Sequence, residues 1–208
     1  MSSMNRGATR IEQDFYPTPL TAFNPLMPYI KQLPQIRYKD AFNGDPIVFE
    51  PACGDGRLIS AMNAEGIPAY GDDLDNGYDF LVDETPREII VTNPPFSLAQ
   101  EFIERATTNS GDVFMLLRLN FLGSQERHDW WKEHCPDALF VLSKRPNFVI
   151  SVKCKCGASN QTYQMEDKDL IPSKCPACNE KVKRGSSDST EYAWYYFGLN
   201  YKGIYFLK

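Results

Sequence analysis

The chain has 208 residues, of which 42% are hydrophobic and 24% are charged, and its formal net charge is −5. This length suits one α/β domain with a modest additional element, and it is long enough to bury a substantial core. The sequence has no apolar run of transmembrane length, and we expect neither a signal peptide nor a membrane partner. An acidic chain is a poor general binder of polyanions, so a nucleic-acid contact would have to come from a local basic segment.

The N-terminal part predicts a helix, a strand and a second helix. The polar residues 1–10 are expected to fray. A helix is expected over 18–33, with Thr18 as its N-cap and Pro19 in its first position. Residues 46–49 are typical of a short buried strand, and a helix is expected over 57–64.

The segment 50–56 (EPACGDG), between that strand and helix, combines glycines with acids. Gly54 and Gly56 permit a tight turn and a close approach of a ligand to the backbone. A strand, a glycine-rich turn and a helix N-terminus form the nucleotide-binding corner of a doubly wound sheet. The segment lacks both the G-x-G-x-x-G pattern and the lysine of a P-loop, and Glu50 and Asp55 favour a cationic ligand over a pyrophosphate.

Two more acidic positions follow. Residues 69–75 are typical of a strand that ends in carboxylates, and Asp73 lies 17 residues after Gly56. That is near the spacing of about 20 residues at which such an acid reaches the ribose hydroxyls of a bound nucleoside. Asp79 beside Phe80 offers a carboxylate for an adenine amine and a ring for its face. Asp72 and Asp75 are better explained as solvated loop charges.

The tetrapeptide Asn93-Pro94-Pro95-Phe96 follows an apolar run, 89–92, that is typical of a buried strand. The two prolines fix the backbone and remove N–H donors, which leaves carbonyl oxygens facing outward. The Asn93 side-chain oxygen adds an acceptor, and Phe96 adds a flat ring. The combination is suited to hold an exocyclic or amide NH2 group, although a proline-rich turn with an inward Phe96 explains the tetrapeptide alone equally well.

Strands and helices alternate from 46 to 142, which predicts a mostly parallel sheet. Further helices are expected over 97–108 and 124–134, and a further strand over 112–119. Later strands are expected over 138–142, 148–152 and 191–199. The two histidines, His128 and His134, lie in a Trp-rich helical segment and are interpreted as surface or packing residues.

Four of the six cysteines form two pairs separated by 18 residues, namely Cys154, Cys156, Cys175 and Cys178. This spacing is close to the two knuckles of a zinc ribbon, although the first pair has one intervening residue instead of two. It predicts a closed, structural Zn2+ site, and a secreted disulfide framework is the less favoured alternative. Cys53 and Cys135 are expected to be free thiols.

The segment 144–184 is basic, with nine Lys and Arg against four Asp and Glu, a formal +5 that leaves −10 for the rest of the chain. Four thiolates around one Zn2+ would lower the local figure by about two. An ordinary solvated surface is the alternative to a phosphate-binding patch, whose salt dependence should be modest. The candidate nucleic-acid contacts are Lys144, Arg145, Lys153, Lys155, Lys181, Lys183 and Arg184.

Five motifs, taken in the order in which they occur along the chain, resemble those of S-adenosylmethionine-dependent N6-adenine DNA methyltransferases. The resemblance is to the small phage and prophage enzymes in particular. Segment 50–56 resembles the cofactor loop, Asp73 the ribose-binding acid, 79–80 the adenine-contacting pair and 93–96 the catalytic tetrapeptide. Segment 14–19 (DFYPTP) resembles the N-terminal motif that folds over the methionine end of the cofactor. The resemblance covers about 12–150 and 190–200.

The resemblance implies a doubly wound, mostly parallel, seven-stranded Rossmann-like α/β sheet with a C-terminal antiparallel hairpin. The methyltransferase domain would comprise 1–150 and 190–208, and a zinc-ribbon insertion over 151–189 would recognise the target. The implied catalytic residues are Asn93, Pro94, Pro95 and Phe96. The implied cofactor-binding residues are Tyr16, Thr18, Pro19, Glu50, Ala52, Gly54, Asp55, Gly56, Asp73, Asp79, Phe80 and Asn93.

The expected reaction is methyl transfer from S-adenosylmethionine to adenine N6 in duplex DNA, in the cytoplasm of a bacterial or phage-infected cell. Three alternatives stay open: N6-adenine methylation of structured RNA, methylation of glutamine amides in proteins, and a non-catalytic zinc adaptor on a decayed methyltransferase fold. Cytosine N4 methylation shares the chemistry but usually has Ser or Thr before the prolines, so Asn93 favours adenine.

Overall fold

The computed structural model describes residues 17–33, 47–146, 148–154, 156, 161–164, 173–185 and 190–208. The strands in these ranges are β1 (Val48–Glu50), β2 (Ala69–Gly71), β3 (Arg87–Thr92), β4 (Ser110–Arg118), β5 (Ala138–Leu142), β6 (Val149–Lys153), β7 (Gln161–Gln164), β8 (Lys183–Gly185), β9 (Tyr192–Phe197) and β10 (Gly203–Leu207). The α-helices are α1 (Leu20–Phe23), α2 (Met27–Leu33), α3 (Arg57–Ala64), α4 (Ala99–Asn109) and α5 (His128–Glu133). Short 3-10 turns lie at Asn24–Leu26, Leu74–Asn76, Phe96–Leu98 and Leu119–Phe121.

Seven strands form one sheet in the order β10-β5-β9-β4-β3-β1-β2. All neighbours are parallel except β9, which is antiparallel to both β4 and β5. Apolar side chains of α1, α2 and α3 are buried on one face of the sheet, and those of α4 on the other. This is a Rossmann-like α/β fold, which confirms the prediction of a doubly wound, mostly parallel sheet of seven strands.

The strand order places the ends of several strands together. β1 lies between β2 and β3. The chain runs from β1 to β2 on one side and from β3 to β4 on the other, and this change of direction opens a crevice at the carboxyl ends of β1 and β3. We call the edge at which β1, β2, β3 and β4 end the carboxyl edge. Because β9 is antiparallel, it begins at this edge, where its parallel neighbours end.

The antiparallel strand β9 is buried along its whole length. Side chains alternate between the two faces of a strand. Accordingly, Tyr192, Trp194 and Tyr196 pack into the core on one face, and Tyr195 and Phe197 pack on the other. The sequence's aromatic run 192–197 thus supplies both core layers at the centre of the sheet.

A second, three-stranded sheet has the order β7-β6-β8. The strand expected over 148–152 is present as β6, but it pairs with β7 and β8. On the side of the sheet away from β4, the antiparallel neighbour of β9 is β5. Since β5 ends and β9 begins at the carboxyl edge, the second sheet is connected to the main sheet at that edge.

Several element boundaries differ from the sequence prediction. Thr18 does not cap the first helix: it is buried, and Pro19 occupies the N-cap position. The helix expected over 18–33 is interrupted by a 3-10 turn that contains Pro25, because proline has no N–H to continue the α-helical ladder. The helix expected over 124–134 covers only His128–Glu133, whereas the one expected over 57–64 is confirmed as Arg57–Ala64. In the ranges described above, no helix combines the length and apolarity needed to cross a membrane.

Candidate functional site at the carboxyl edge

A cavity of about 350 Å³ lies at the carboxyl edge, and residues from three strand ends line it together. The predicted site residues that line it are Thr18, Glu50, Ala52, Gly54, Asp55, Asp73, Asp79, Phe80, Asn93 and Pro95. Pro19 and Gly56 lie next to lining residues but do not line the cavity themselves. Tyr16 lies outside the described residues. The structure therefore brings most of the predicted cofactor residues to one space with Asn93 and Pro95, whereas Pro94 and Phe96 do not line this cavity.

Glu50, the last residue of β1, presents a buried carboxyl group to this cavity. The residue is 3% exposed, and its Oε2 atom has no hydrogen-bond partner among the described residues. Burial, followed by the negative charges of Asp55 and Asp73, raises the pKa of Glu50 well above its ordinary value. Burying an acid without a partner is costly, so a cationic group in the cavity would be stabilised here.

The same surroundings act on the neighbouring thiol. Burial, together with the charges of Glu50, Asp73 and Asp72, raises the pKa of Cys53 to about 11. Cys53 lines the cavity and is a free thiol, as predicted. With this raised pKa, the Cys53 side chain contributes an uncharged thiol to the cavity lining, and a thiol is a weaker nucleophile than a thiolate.

Hydrogen bonds connect the glycine-rich turn to the end of β2. The N–H of Gly54 donates to Oδ2 of Asp73 at 2.8 Å, and the N–H of Asp75 donates to Oδ1 at 3.2 Å. Gly71 stands opposite Glu50 in the register of β1 and β2, and a Cβ atom at Gly71 would collide with the Glu50 carbonyl oxygen. The carboxylate of Asp73 is thereby fixed at the wall of the cavity.

Asp55 and Arg57 form an ion pair at the start of α3. Nε of Arg57 donates to both carboxylate oxygens of Asp55, at 3.0 and 2.9 Å. Partial burial would raise the pKa of Asp55, but the hydrogen bonds and charge of Arg57 outweigh it and hold that pKa below its ordinary value. Asp55 is therefore ionised and already compensated, which distinguishes it from Glu50.

The wall nearest α4 carries the predicted adenine-contacting pair. Phe80 is buried and packs on Phe102 of α4, with ring centroids 5.1 Å apart. Asp79 is exposed, and its Oδ1 accepts the backbone N–H two residues further on at 2.9 Å. Beside them, the hydroxyl of Tyr78 donates to Asp83 at 2.6 Å, which fixes the Tyr78 ring in the wall.

The predicted catalytic tetrapeptide, 93–96, which we call the catalytic turn, follows the end of β3. Asn93 and Pro95 line the cavity, whereas Pro94 is buried. The carbonyl of Pro95 accepts the N–H of Leu98 at 3.0 Å, which starts the 3-10 turn before α4. Within the described part of the chain, no backbone N–H of a turn or loop donates to the Pro94 carbonyl. Prolines supply no N–H, so this turn presents acceptors.

Phe96 lies beside the turn in a cluster that we call the Phe96 cluster: Phe96, Arg118, Phe148 and Tyr192. The ring centroid of Phe96 is 6.4 Å from that of Phe148 and 5.9 Å from that of Tyr192. Cζ of Arg118 lies 4.9 Å from the Phe96 centroid, and Nε of Arg118 donates to the Tyr192 hydroxyl at 3.1 Å. Phe96 is thus held among aromatic rings with a guanidinium over its face.

Sequence reasoning missed part of this site. The cavity-lining residues not assigned to the site beforehand are Pro17, Pro51, Cys53, Arg57, Leu58, Leu74, Asp75, Tyr78, Leu81, Leu98 and Phe102. Leu98 and Phe102 are four residues apart at the start of the helix after the catalytic turn, a spacing that predicts a shared face. Arg118 is the last residue of β4, so it lies at the carboxyl end of its strand, as Asn93 does after β3. Asp75, interpreted as a solvated loop charge, lines the cavity while remaining exposed.

The four paired cysteines meet beside the second sheet. The sulfur atoms of Cys154, Cys156, Cys175 and Cys178 all lie within 4.8 Å of one another. The Cys154 sulfur is 3.1 Å from that of Cys178 and 3.3 Å from that of Cys156. The contact with the Cys154 sulfur is the largest of several causes that raise the pKa of Cys178 to about 12. Four sulfurs at this separation fit a tetrahedral Zn2+ site, in which the cation would stabilise the thiolates.

The predicted basic contacts are distributed around this second sheet. Lys144 and Lys181 are exposed, and Arg145 forms an ion pair with Glu191. Lys153 stands opposite Lys183 in the register of β6 and β8, and Arg184 follows on β8. Lys155 lies outside the described residues.

No model of a protein family matches this sequence, and no curated protein sequence matches it. Solved structures that align with this chain include two with the following values. A candidate RNA methyltransferase from Pyrococcus horikoshii aligns over 95% of this chain and 92% of its own, with 13% identity and a TM-score of 0.46. The 23S rRNA methyltransferase ErmE aligns over 79% of this chain and 67% of its own, with 12% identity and a TM-score of 0.29.

Proposed function

We propose that this protein transfers a methyl group from S-adenosylmethionine to the N6 amine of adenine in DNA. One observation carries the proposal: the catalytic turn, through Asn93 and Pro95, lines the same cavity as Glu50 and Asp73. A cofactor held by the acids and an amine held by the turn would therefore meet in one space. Proximity of this kind supplies a large part of the acceleration in a group transfer.

The chain's residues fit this cofactor. Oε2 of the buried Glu50 carboxyl lacks a hydrogen-bond partner among the described residues, and this atom suits a cationic ammonium group. Asp73, fixed by the Gly54 N–H, suits the ribose hydroxyls, and Asp79 with Phe80 suits the adenine amine and ring face. When bound, the cofactor supplies a methyl group already activated on a sulfonium sulfur.

The turn supplies what the amine requires. The lone pair of adenine N6 is delocalised into its ring, which makes it a poor nucleophile. Hydrogen bonds from N6 to the Asn93 side-chain oxygen and the Pro94 carbonyl favour a more tetrahedral, more nucleophilic nitrogen. These bonds strengthen as positive charge develops on N6, so they stabilise the transition state more than the ground state. Transfer forms an N–C bond, breaks the C–S bond and releases one N6 proton to water.

No histidine base is needed for that proton, and neither histidine is placed to act as one. The ring of His134 stacks on Trp130 with centroids 4.6 Å apart, and His128 is exposed beside Asp129. Neither histidine's described contacts involve the catalytic turn. Both fit the surface and packing roles expected from the sequence.

A target adenine has to leave the duplex stack, which costs a few kcal/mol. Stacking on an aromatic side chain returns about 1–3 kcal/mol per base, and Phe96 is the ring beside the turn. The second sheet, connected at the carboxyl edge, is the proposed target-recognition element, held by Zn2+ on its four cysteines. Phe148 supports this role, because it precedes β6 directly and contacts Phe96.

The test is transfer of a labelled methyl group to duplex DNA, single-stranded DNA, structured RNA and a glutamine-containing peptide, side by side, followed by base analysis. The proposal predicts N6-methyladenine in DNA. Label found only in RNA would move the activity to the RNA alternative, and label in the peptide alone would refute nucleobase transfer. A protein that binds no S-adenosylmethionine would support the non-catalytic adaptor instead.

A further inference from the structure

The proposed reaction leaves one prominent residue without a role. Arg118 is the last residue of β4, and its guanidinium covers the face of Phe96, with Cζ 4.9 Å from the ring centroid. Nε of Arg118 donates to the Tyr192 hydroxyl at 3.1 Å. The backbone carbonyl of Arg118 accepts the hydroxyl hydrogen of Tyr195 at 3.0 Å. The contact with Tyr195 thus holds the Arg118 backbone, and the contact with Tyr192 tethers its side chain through Nε.

This placement conflicts with a flat ligand on the same face of Phe96. The guanidinium and the ring are already in cation–π contact, so no base fits between them without movement. A guanidinium is itself a plane that stacks on bases as readily as an aromatic ring does. An incoming base would therefore exchange the contact between Arg118 and Phe96 for one contact with each of them.

We propose that Arg118 and Phe96 form a slot for a single nucleobase, in which Arg118 covers Phe96 when the slot is empty and the far face of the base when it is filled. Arg118 is then a substrate-positioning residue. The inference rests on the proposed function and narrows it to a nucleobase substrate. A glutamine amide offers too small a plane to fill the space between a ring and a guanidinium.

The slot requires the guanidinium to leave the face of Phe96 while Nε of Arg118 stays near the Tyr192 hydroxyl. The Tyr192 hydroxyl holds Nε from the side, while Tyr192 and Phe148 pack against each other with centroids 5.2 Å apart. Phe148 is buried and closes the flank of the cluster towards β6. In the proposed slot, the side chain of Arg118 turns about this tether while its backbone stays in the sheet.

The test compares Arg118→Met, which removes the plane and the charge, with Arg118→Lys, which keeps the charge alone. Arg127→Met is the matched control, because Cζ of Arg127 also lies over a ring, 4.3 Å from the centroid of Phe121, which is not part of the predicted catalytic tetrapeptide. Each variant is titrated with single-stranded DNA and with single-stranded RNA, and each oligonucleotide carries one 2-aminopurine in place of an adenine. Quenching of its fluorescence reports stacking without methyl transfer, and S-adenosylmethionine affinity is measured in parallel.

The slot predicts that both Arg118 variants bind the probe about 5- to 150-fold more weakly, the range of one lost base stack. Arg127→Met should match the wild type, and cofactor affinity should be unchanged in all three variants. Full rescue by Arg118→Lys would overturn the slot in favour of a phosphate contact. If Arg118 contacts a phosphate, Arg118→Met should also reduce, by about one, the steepness with which the logarithm of the binding constant falls against the logarithm of the salt concentration.

Failure of the slot and failure of the proposed function give different results. If the wild type methylates adenine and Arg118→Met does so with the same KM, the slot is refuted and the function stands. If the wild type quenches the probe through Arg118 but transfers no methyl group to any substrate, the function is refuted and the slot stands. If neither oligonucleotide is bound and only the peptide is labelled, both are refuted.

Discussion

The seven-stranded sheet and the three-stranded sheet are stabilised in different ways. The main sheet buries apolar side chains on both faces, with Trp194, Tyr195 and Tyr196 fully inaccessible at its centre. In the described part of the second sheet, the buried cluster consists of Cys154, Cys175 and Val182, with Cys178 packed against it. A metal bound by the four cysteines would add its binding free energy to the stability of this region.

The difference matches the division of labour that we propose. The cofactor cavity is built from strand ends of the main sheet, which are fixed by the core whether or not a metal is present. The second sheet joins the main sheet at the carboxyl edge and touches the catalytic turn through Phe148 and Phe96. Cofactor binding should therefore depend on the main sheet, and target binding on both sheets.

The largest effect is expected from breaking the metal site. Cys175→Ser replaces a buried ligand and should abolish stoichiometric zinc, which in comparable small sites contributes on the order of 10 kcal/mol to folding. Amides of β6 and β8 should then exchange rapidly, while those of β3 and β4 stay protected. Metal analysis and hydrogen exchange measure both.

Cys135→Ser is the control for this prediction, because Cys135 is an exposed free thiol outside the cluster. It should retain one zinc per chain and wild-type exchange. Loss of protection throughout β3 and β4 in Cys175→Ser would contradict the separation of the two regions.

The next largest effect concerns the main core. Phe140, on β5, is fully buried, and Phe140→Ala should lower the free energy of unfolding by about 3–5 kcal/mol. Phe206→Ala, on the adjacent β10, removes the same ring from a position that is 74% exposed and should cost much less. Chemical denaturation of both variants measures this. Equal losses would mean that burial in the main sheet is not what stabilises it.

A smaller effect is expected at the cofactor cavity. Asp73→Ala removes the acceptor of the Gly54 N–H and the proposed ribose contact, and it should weaken S-adenosylmethionine binding by about 10- to 100-fold. Asp72→Asn keeps the oxygen that accepts the Asp73 N–H and should bind like the wild type. Isothermal titration at constant zinc content makes the measurement. Unchanged affinity in Asp73→Ala would remove Asp73 from the site.

The smallest effect is the pH dependence contributed by Glu50. Because burial raises its pKa in the folded state, the folded protein holds this proton more tightly than the unfolded chain does. The stabilising contribution is present below the ordinary pKa of glutamate, and it is lost as pH rises through the higher folded-state pKa. Glu50→Gln should therefore flatten the fall in stability of the cofactor-free protein with rising pH.

Glu84→Gln, at an exposed glutamate, is the control for the pH profile and should leave it unchanged. Denaturation midpoints across the mildly acidic to neutral range measure all three proteins. Identical profiles for Glu50→Gln and the wild type would show that Glu50 is not the group that titrates.

Local patterns in the sequence were sufficient for the parts of the fold that repeat a simple rule. The helix at Arg57–Ala64 and the buried strands β3 and β4 follow from apolar periodicity and from the turns that bound them. Glu50 and Asp73 line one cavity because parallel strands end at one edge, which the alternation of strands and helices predicts. These inferences need no knowledge of distant contacts.

Pairings between distant segments could not be derived in the same way. The segment 149–153 has a strand's composition in either sheet, and only the tertiary structure places β6 with β7 and β8. The cover of Phe96 by Arg118 likewise depends on how β4 stands beside β9, and Asp75 reaches the cavity through a 3-10 turn that the charge pattern does not reveal. Each miss concerns a contact between elements far apart in sequence or a turn without a sequence signal.

The central claim, that Asn93 and the cofactor acids act in one cavity, is tested most directly by single-turnover methyl transfer with Asn93→Ala. The measurement uses an adenine-containing duplex and saturating S-adenosylmethionine, with cofactor affinity determined on the same protein. We predict a rate lower by about 100-fold or more, the usual effect of removing one transition-state hydrogen bond, with a much smaller change in cofactor affinity. Equal rates for Asn93→Ala and the wild type would contradict the account.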